Sequence, residues 1–196
     1  MTAGDNPVVV ALRHLGESLP AGLPWALVGG LAVSARAEPR FTRDVDVAVA
    51  VSDDTAAEAL ASGLVTQGWA ITAVVEQDET GRLAQVRLAA AASAGVVCDL
   101  LFASSGIEPE IAAAAEPLEI VPGVVVPVAR TGHLIVLKLL SVDERRLQDR
   151  LDLESLRHVA TAPDWATAEE AAALVGSRGF SRGRDLLAAV ARLRLS

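Results

Sequence analysis

Residues 25–51 read WALVGGLAVSARAEPRFTRDVDVAVAV, and the rest of the chain is organised around them. An apolar run, Trp25 to Val28, meets a glycine pair, Gly29-Gly30. A helix-compatible segment, Leu31 to Ala37, leads to a polar corner, Glu38 to Arg43, and then to a strand-like run, Asp44 to Val51. Side chains alternate between faces in an extended strand, so Asp44 and Asp46 project together while Val45 and Val47 point the other way. Two carboxylates placed so closely raise each other's pKa unless a cation lies between them. Oxygen ligands of this kind suit a hard cation such as magnesium. Glycine at the strand–helix junction lets backbone approach a ligand closely, and the helix start offers free N–H groups to an anion.

Working outward, residues 7–18 suit a short helix, with Val9, Leu12 and Leu15 at helical spacing, broken by Pro20, Gly22 and Pro24. Ser52-Asp53-Asp54 is a helix start, and the helix runs to about Gln67 with Ala56, Leu60 and Leu64 facing the core. Trp69 to Val75 and Arg82 to Ala89 read as a hairpin across the polar turn Glu76 to Gly81; Gln85 and Arg87 fall on one face of its second strand. Small residues, Ala90 to Ala94, connect it to another strand, Gly95 to Phe102, in which Asp99 is the lone charge. A carboxylate there is costly to desolvate unless paired or metal-bound. If this strand lies beside Asp44 to Val51, Asp99 joins the carboxylate pair.

Glu108 to Ala115 is a short helix, and Pro122-Gly123 turns one short strand, Leu118 to Val121, into another, Val124 to Val128. From Arg130 the period becomes helical. Thr131 caps a helix with Leu134, Leu137 and Leu140 inward; a second runs from about Asp143 to Ala160 with Leu147, Leu151 and Leu156 inward; Pro163-Asp164 breaks it. Helices over Thr167 to Val175 and Arg182 to Leu193 complete the chain. On the helix from about Asp143 to Ala160, Arg145, Asp149 and Asp152 share one face. His14 reads as a surface or core-edge residue, and His133 and His158 lack ligand-like partners and read as structural.

The expected organisation is a core over residues 1–129 with a mixed sheet, and a helical region over 130–196 packed on it. Residues 1–129 hold 6 basic and 16 acidic groups, a net of −10, and residues 130–196 hold 11 and 9, a net of +2. That acidic excess argues against a general nucleic-acid coat, while the C-terminal part could face an anionic partner. The chain has 16 Arg and a single Lys, Lys138, which suggests that a compact ammonium is wanted there. Cys98 is the only cysteine, so no internal disulfide framework exists. No apolar run reaches membrane-spanning length and the start of the sequence lacks a secretory pattern, so a cytoplasmic location is expected.

The order of elements, with Gly29-Gly30, then Arg40-x-Thr42-x-Asp44-x-Asp46, then Asp99, resembles the nucleotidyltransferase superfamily of the DNA polymerase beta type. Lys138, followed by Arg145-Arg146-Leu-Gln-Asp149-Arg-Leu-Asp152, resembles more narrowly the AbiEii-type toxin nucleotidyltransferases, including the mycobacterial MenT-like toxins. The likeness covers roughly residues 24–156. It departs at Gly30, where the superfamily often has Ser and so a further hydroxyl for phosphate.

The resemblance implies an α+β nucleotidyltransferase fold, a small mixed sheet flanked by helices with a helical C-terminal third. It implies Asp44 and Asp46 as holders of two Mg2+ ions about 3.5–4 Å apart, with Asp99 on the second ion or acting as general base. Gly29, Gly30, Arg40, Thr42 and Lys138 would bind nucleotide phosphates, and Asp149 would edge the nucleotide or acceptor site. The implied reaction moves a nucleoside monophosphate from an NTP to an acceptor hydroxyl, by resemblance a tRNA 3′ end, as the toxin partnered by a cognate antitoxin protein. Two other readings stay open: modification of an antibiotic such as an aminoglycoside or of a protein hydroxyl, and a non-catalytic nucleotide- or partner-binding module.

Overall fold

A computed structural model describes residues 6–78, 80–91, 95–142 and 147–196. The fold is α+β, a mixed sheet with helices packed against it. In chain order the described elements are α1 (Pro7–Ser18), β1 (Trp25–Val28), α2 (Gly29–Arg36), β2 (Asp44–Val49), α3 (Asp54–Thr66), β3 (Trp69–Glu76), β4 (Leu83–Ala90) and β5 (Val97–Leu101). Then follow α4 (Glu108–Ala113), β6 (Glu116–Val121), β7 (Val124–Val128), α5 (Thr131–Ser141), α6 (Leu147–Val159), α7 (Ala162–Ser177) and α8 (Leu186–Leu195). The mixed sheet has seven strands in the order β3-β4-β5-β2-β1-β7-β6. The β2–β5 and β1–β7 pairs are parallel and the others antiparallel.

The centre of the sheet is the most thoroughly buried part. Val45, Val47, Leu27, Cys98 and Leu100 are fully covered. Each large aliphatic side chain so buried contributes about 1.5–3 kcal/mol of transfer free energy. Helices α1 and α4 pack on these strands, and α1 brings Leu12 and Leu15. Asn6 starts α1 by accepting from the Val8 N–H at 3.0 Å, ahead of Pro7 in the first turn. Ser18 ends it and also accepts from the buried Trp69 indole N–H at 3.0 Å, while His14 stacks on that ring at 4.8 Å. Arg36 closes α2 by donating to the carbonyls of Val128 and Ala129 and to Glu116, which fixes the helix over the end of β7.

The hairpins form as their turn residues require, β3 with β4 and β6 with β7; the latter turns through Gly123 at φ +81°. Asp53 caps α3 at the expected place, accepting from the Ala56 N–H at 2.9 Å. Other details differ. Helix α3 buries Ala57, Ala61 and Leu64, so its core stripe is turned from the expected Ala56 and Leu60. Arg130, not Thr131, is the capping position of α5, without a side-chain cap. Pro163 lies in the first turn of α7, where its missing N–H costs nothing, and Thr161 and Asp164 close a capping box around it.

The largest correction concerns α6. Leu147 and Leu151, expected inward, are 67% and 52% exposed, whereas Asp149 and Asp152 are buried with Leu153 and Leu156. The helix is rotated because α5 and the Glu38–Arg43 corner supply Lys138 and Arg40 as partners for those carboxylates. Arg145, read with Asp149 and Asp152 as one face, and the expected helix start at Asp143 lie outside the described residues. Ala92 to Ala94 of the small-residue connection also lie outside them. Among the described residues no helix is long and apolar enough to cross a membrane.

Candidate active site

The parallel pairing of β2 with β5 aligns Asp46 directly with Asp99, and the antiparallel pairing of β5 with β4 aligns Asp99 with Arg87. Asp46, Asp99 and Arg87 thus form one row across three adjacent strands. Asp44 stands two residues along β2 on the same face. The expectation that Asp99 lies beside the Asp44/Asp46 pair therefore holds.

The glycine pair is shaped by this row. Gly29 has φ +65°, and a Cβ on it would lie 1.9 Å from Asp46 Oδ2. Gly30 is covered by Arg40, whose Nη2 would lie 2.3 Å from an added Cβ. The guanidinium thus occupies the space where the resembled superfamily often carries a serine side chain. Ser34 does not face the cleft: its hydroxyl meets the Gly30 and Arg40 carbonyls and accepts from the Arg40 N–H, pinning the corner to α2. The first turn of α2 has no side-chain cap, which leaves its N–H groups for another acceptor.

Thr42 donates to Asp44 Oδ1 at 2.8 Å, so here it orients a carboxylate. Arg40 forms an ion pair with Asp152, Nε to Oδ1 at 2.6 Å, and its Nη2 donates to Oδ2 at 2.9 Å. Lys138 lies 2.8 Å from both Asp149 and Asp152. Lys138, Asp149 and Asp152 are nearly covered, with side chains 12%, 9% and 1% exposed. Arg40 and Lys138, expected as phosphate ligands, are therefore held in a network that fastens α6 to α5 and to the corner. Asp149 is a member of that network and also lines the cleft.

Burial, then the charges of Asp44 and Asp99, push the Asp46 carboxyl up to about 7, against partial relief from Lys138 and Arg87. This is the behaviour of a carboxylate cluster short of positive charge. Burial, then the charges of Asp99 and Asp46, raise the Cys98 thiol to about 12. Asp99 is 5% exposed at its side chain, and both of its oxygens accept from Arg87, from Nε and from Nη2, each at 2.8 Å. Among the described residues no three acidic, His or Cys side chains stand ready to enclose a metal ion. The donor set of Asp44 and Asp46 fits a hard divalent cation; Asp99 fits only once Arg87 has moved.

The row forms the floor of a cleft of about 890 Å3, lined by Gly30, Arg40, Thr42, Asp44, Gln85 and Leu147 among others. At its rim Phe41 is 78% exposed, with the Arg43 guanidinium 5.5 Å from its ring centre. A smaller cleft of about 290 Å3 shares Asp46, Gln85, Lys138 and Asp149 with it and is lined by Val28, Leu134, Leu137, Ser104 and Arg182 as well. Arg87, Gln85 and Phe41 had no assigned role in the sequence. Strand alternation placed Gln85 and Arg87 on a shared face, and that was the available signal.

No family model matches the chain, and no curated protein matches it. Among solved structures it is similar to an H. pylori protein assigned as a nucleotidyltransferase, with 15% identity, a TM-score of 0.43, and coverage of 94% of this chain and 89% of that one. It is also similar to the antibiotic-resistance factor ANT(2″)-Ia, with 18% identity, a TM-score of 0.41, and coverage of 88% and 89%.

Proposed function

We propose that this protein is a nucleotidyltransferase that moves a nucleoside monophosphate from an NTP to an acceptor hydroxyl, using Mg2+. The observation that carries the reading is the convergence of Asp44, Asp46 and Asp99 from adjacent strands onto one cleft floor, beside the uncapped start of α2. Repelling carboxylates gathered at such a place have a use when divalent cations and phosphate oxygens share it.

Asp44 and Asp46 would hold Mg2+, which when bound neutralises phosphate charge and lowers the pKa of an acceptor hydroxyl. Thr42 fixes the Asp44 carboxylate through its 2.8 Å hydrogen bond. The Gly29 and Gly30 backbone offers N–H groups to the phosphates, and Gly29 has no side chain to obstruct Asp46. Arg40 and Lys138 stay paired with Asp149 and Asp152, a neutral set that fixes the cleft wall, and Lys138 partly relieves the charge on Asp46. Asp99, freed of Arg87, would accept the proton of the acceptor hydroxyl or complete the cation site. The apolar wall of Leu134 and Leu137 suits a nucleobase or sugar. Positioning and charge neutralisation account for most of the rate.

The acceptor we favour is the 3′ end of a tRNA, with the protein acting as the toxin of a toxin–antitoxin pair. Phe41 supports it: a ring so exposed at the cleft rim, backed by Arg43, can stack on an unpaired base. A small cationic acceptor is the second reading, supported by the net of −10 over residues 1–129. Labelled NTPs with Mg2+ and either bulk tRNA or aminoglycosides separate the two. Label on neither acceptor, with NTP binding that persists in Asp44→Ala, contradicts both.

A further inference from the structure

Among the described residues, the floor of the cleft holds three carboxylates and one cation that bonds to them directly, Arg87. Its guanidinium grips Asp99 through two parallel 2.8 Å hydrogen bonds, a geometry that occupies both carboxylate oxygens. The two partners differ in freedom: the Asp99 side chain is 5% exposed, while that of Arg87 is 43% exposed and opens into the cleft. Its cross-strand neighbour on β3 is Ala73, too small to restrain it, and β3 is exposed from Ala70 to Glu76. Arg40 and Lys138, by contrast, are tied to buried carboxylates of α6. Arg87 is thus a cleft cation that is held by the site yet free to leave it.

We infer that Arg87 and a divalent cation compete for Asp99, and that Arg87, once displaced, binds a phosphate of the incoming nucleotide. The inference rests on the nucleotidyltransferase reading and assigns a nucleotide-binding residue that the sequence motifs do not include. Asp99 has two oxygens in one plane, and the guanidinium fork covers the edge a cation would approach. Loading the cation breaks the fork. The released guanidinium keeps five N–H donors and stands beside the place where the triphosphate would lie, so phosphate replaces carboxylate as its bidentate partner. The resting pair keeps Asp99 neutralised until metal and nucleotide arrive together.

Mn2+ titration of the full-length protein, read by the EPR signal of free Mn2+, tests the first half without catalysis. Arg87→Gln is expected to bind Mn2+ about tenfold more tightly than wild type, because the competing cation is gone. Arg87→Lys, which keeps the charge but loses the fork, is expected to fall between them. Arg43→Gln removes an exposed charge from the same cleft without touching Asp99 and is the control. The second half is read by binding of a non-hydrolysable NTP at saturating Mn2+, where Arg87→Gln is expected to lose roughly tenfold in affinity. Mn2+ binding by Arg87→Gln that is unchanged or weaker overturns the competition, and an equal gain in Arg43→Gln reduces it to net charge and overturns it too. Unaltered analogue binding overturns the phosphate role. If wild type and Asp44→Asn bind Mn2+ equally poorly, the nucleotidyltransferase reading itself has failed; if only the Arg87 variants behave like wild type, that reading stands and the Arg87 inference falls.

Discussion

Asp152→Ala should cost this protein a substantial part of its stability, and the structure indicates how much. The Asp152 carboxylate is 1% exposed and meets Arg40 at 2.6 and 2.9 Å, Lys138 at 2.8 Å and Gln148 at 3.2 Å. Removing one member of a buried ion pair costs about 3–5 kcal/mol because the remaining charge stays buried. Two features pull the value to the low end. Lys138 keeps Asp149 at 2.8 Å, and the Arg40 side chain, 23% exposed, can turn toward the cleft. A loss of about 3 kcal/mol follows. For a chain of this length that corresponds to a fall in Tm of roughly 6–12 °C.

The pH dependence supplies an internal control. Burial works against Asp152, yet the hydrogen bonds from Arg40 and Lys138 hold its carboxyl below its ordinary 3.8. A carboxyl depressed in the fold contributes stability that is present above 3.8 and is lost as pH falls through its folded value. The gap between wild type and Asp152→Ala should be widest near neutral pH and should close in strong acid. Urea unfolding followed by circular dichroism at several pH values measures both. A Tm within 2 °C of wild type, or a gap as wide in strong acid as at neutral pH, would refute the reasoning that this network fastens α6.

Gly29→Ala should disturb the cleft floor, because its Cβ would lie 1.9 Å from Asp46 Oδ2 and φ is +65°; a loss of roughly 2 kcal/mol in unfolding free energy and of most nucleotide binding is expected by calorimetry. His133 is buried, and burial followed by Arg130 lowers it from 6.5 to about 4. The unfolded chain therefore binds the extra proton first, and up to about 3 kcal/mol of stability should be lost as pH falls from 6.5 to 4. His133→Gln should flatten that part of the pH–stability profile. Cys98, fully buried with its thiol near 12, should stay unreactive to a thiol reagent in native buffer at pH 8 and react on unfolding. Phe41→Ala should raise KM for a tRNA acceptor about tenfold and leave a small cationic acceptor unaffected, as steady-state transfer kinetics would show.

The parts of the fold that were legible are those decided by local chemistry. Alternation along Asp44 to Val49 put both aspartates on one face, Pro122-Gly123 placed a hairpin, and Asp53 started α3. Helix α6 departs from its sequence expectation because leucine spacing is the only local periodic signal there, and that spacing points Leu147 and Leu151 inward. What turned the helix was Arg40, 112 residues earlier in the chain, which offers Asp152 a charge partner inside the protein. Periodicity carries no record of so distant a partner. Arg87 was hidden for a similar reason. Its face could be read, but its register opposite Asp99 exists only once β4 and β5 have paired. The commitment of Lys138 to Asp149 and Asp152, rather than openly to phosphate, likewise needs the packing of α5 against α6.

The most direct test of the central claim follows the phosphorus. Parallel reactions with Mg2+ and an acceptor pool receive NTP labelled at the α- or the γ-phosphate. Transfer of a nucleoside monophosphate predicts α-label on the acceptor, γ-label released as pyrophosphate, and loss of both in Asp46→Asn. Label on the acceptor from the γ-position, or α-label transfer that survives Asp46→Asn, would contradict the account.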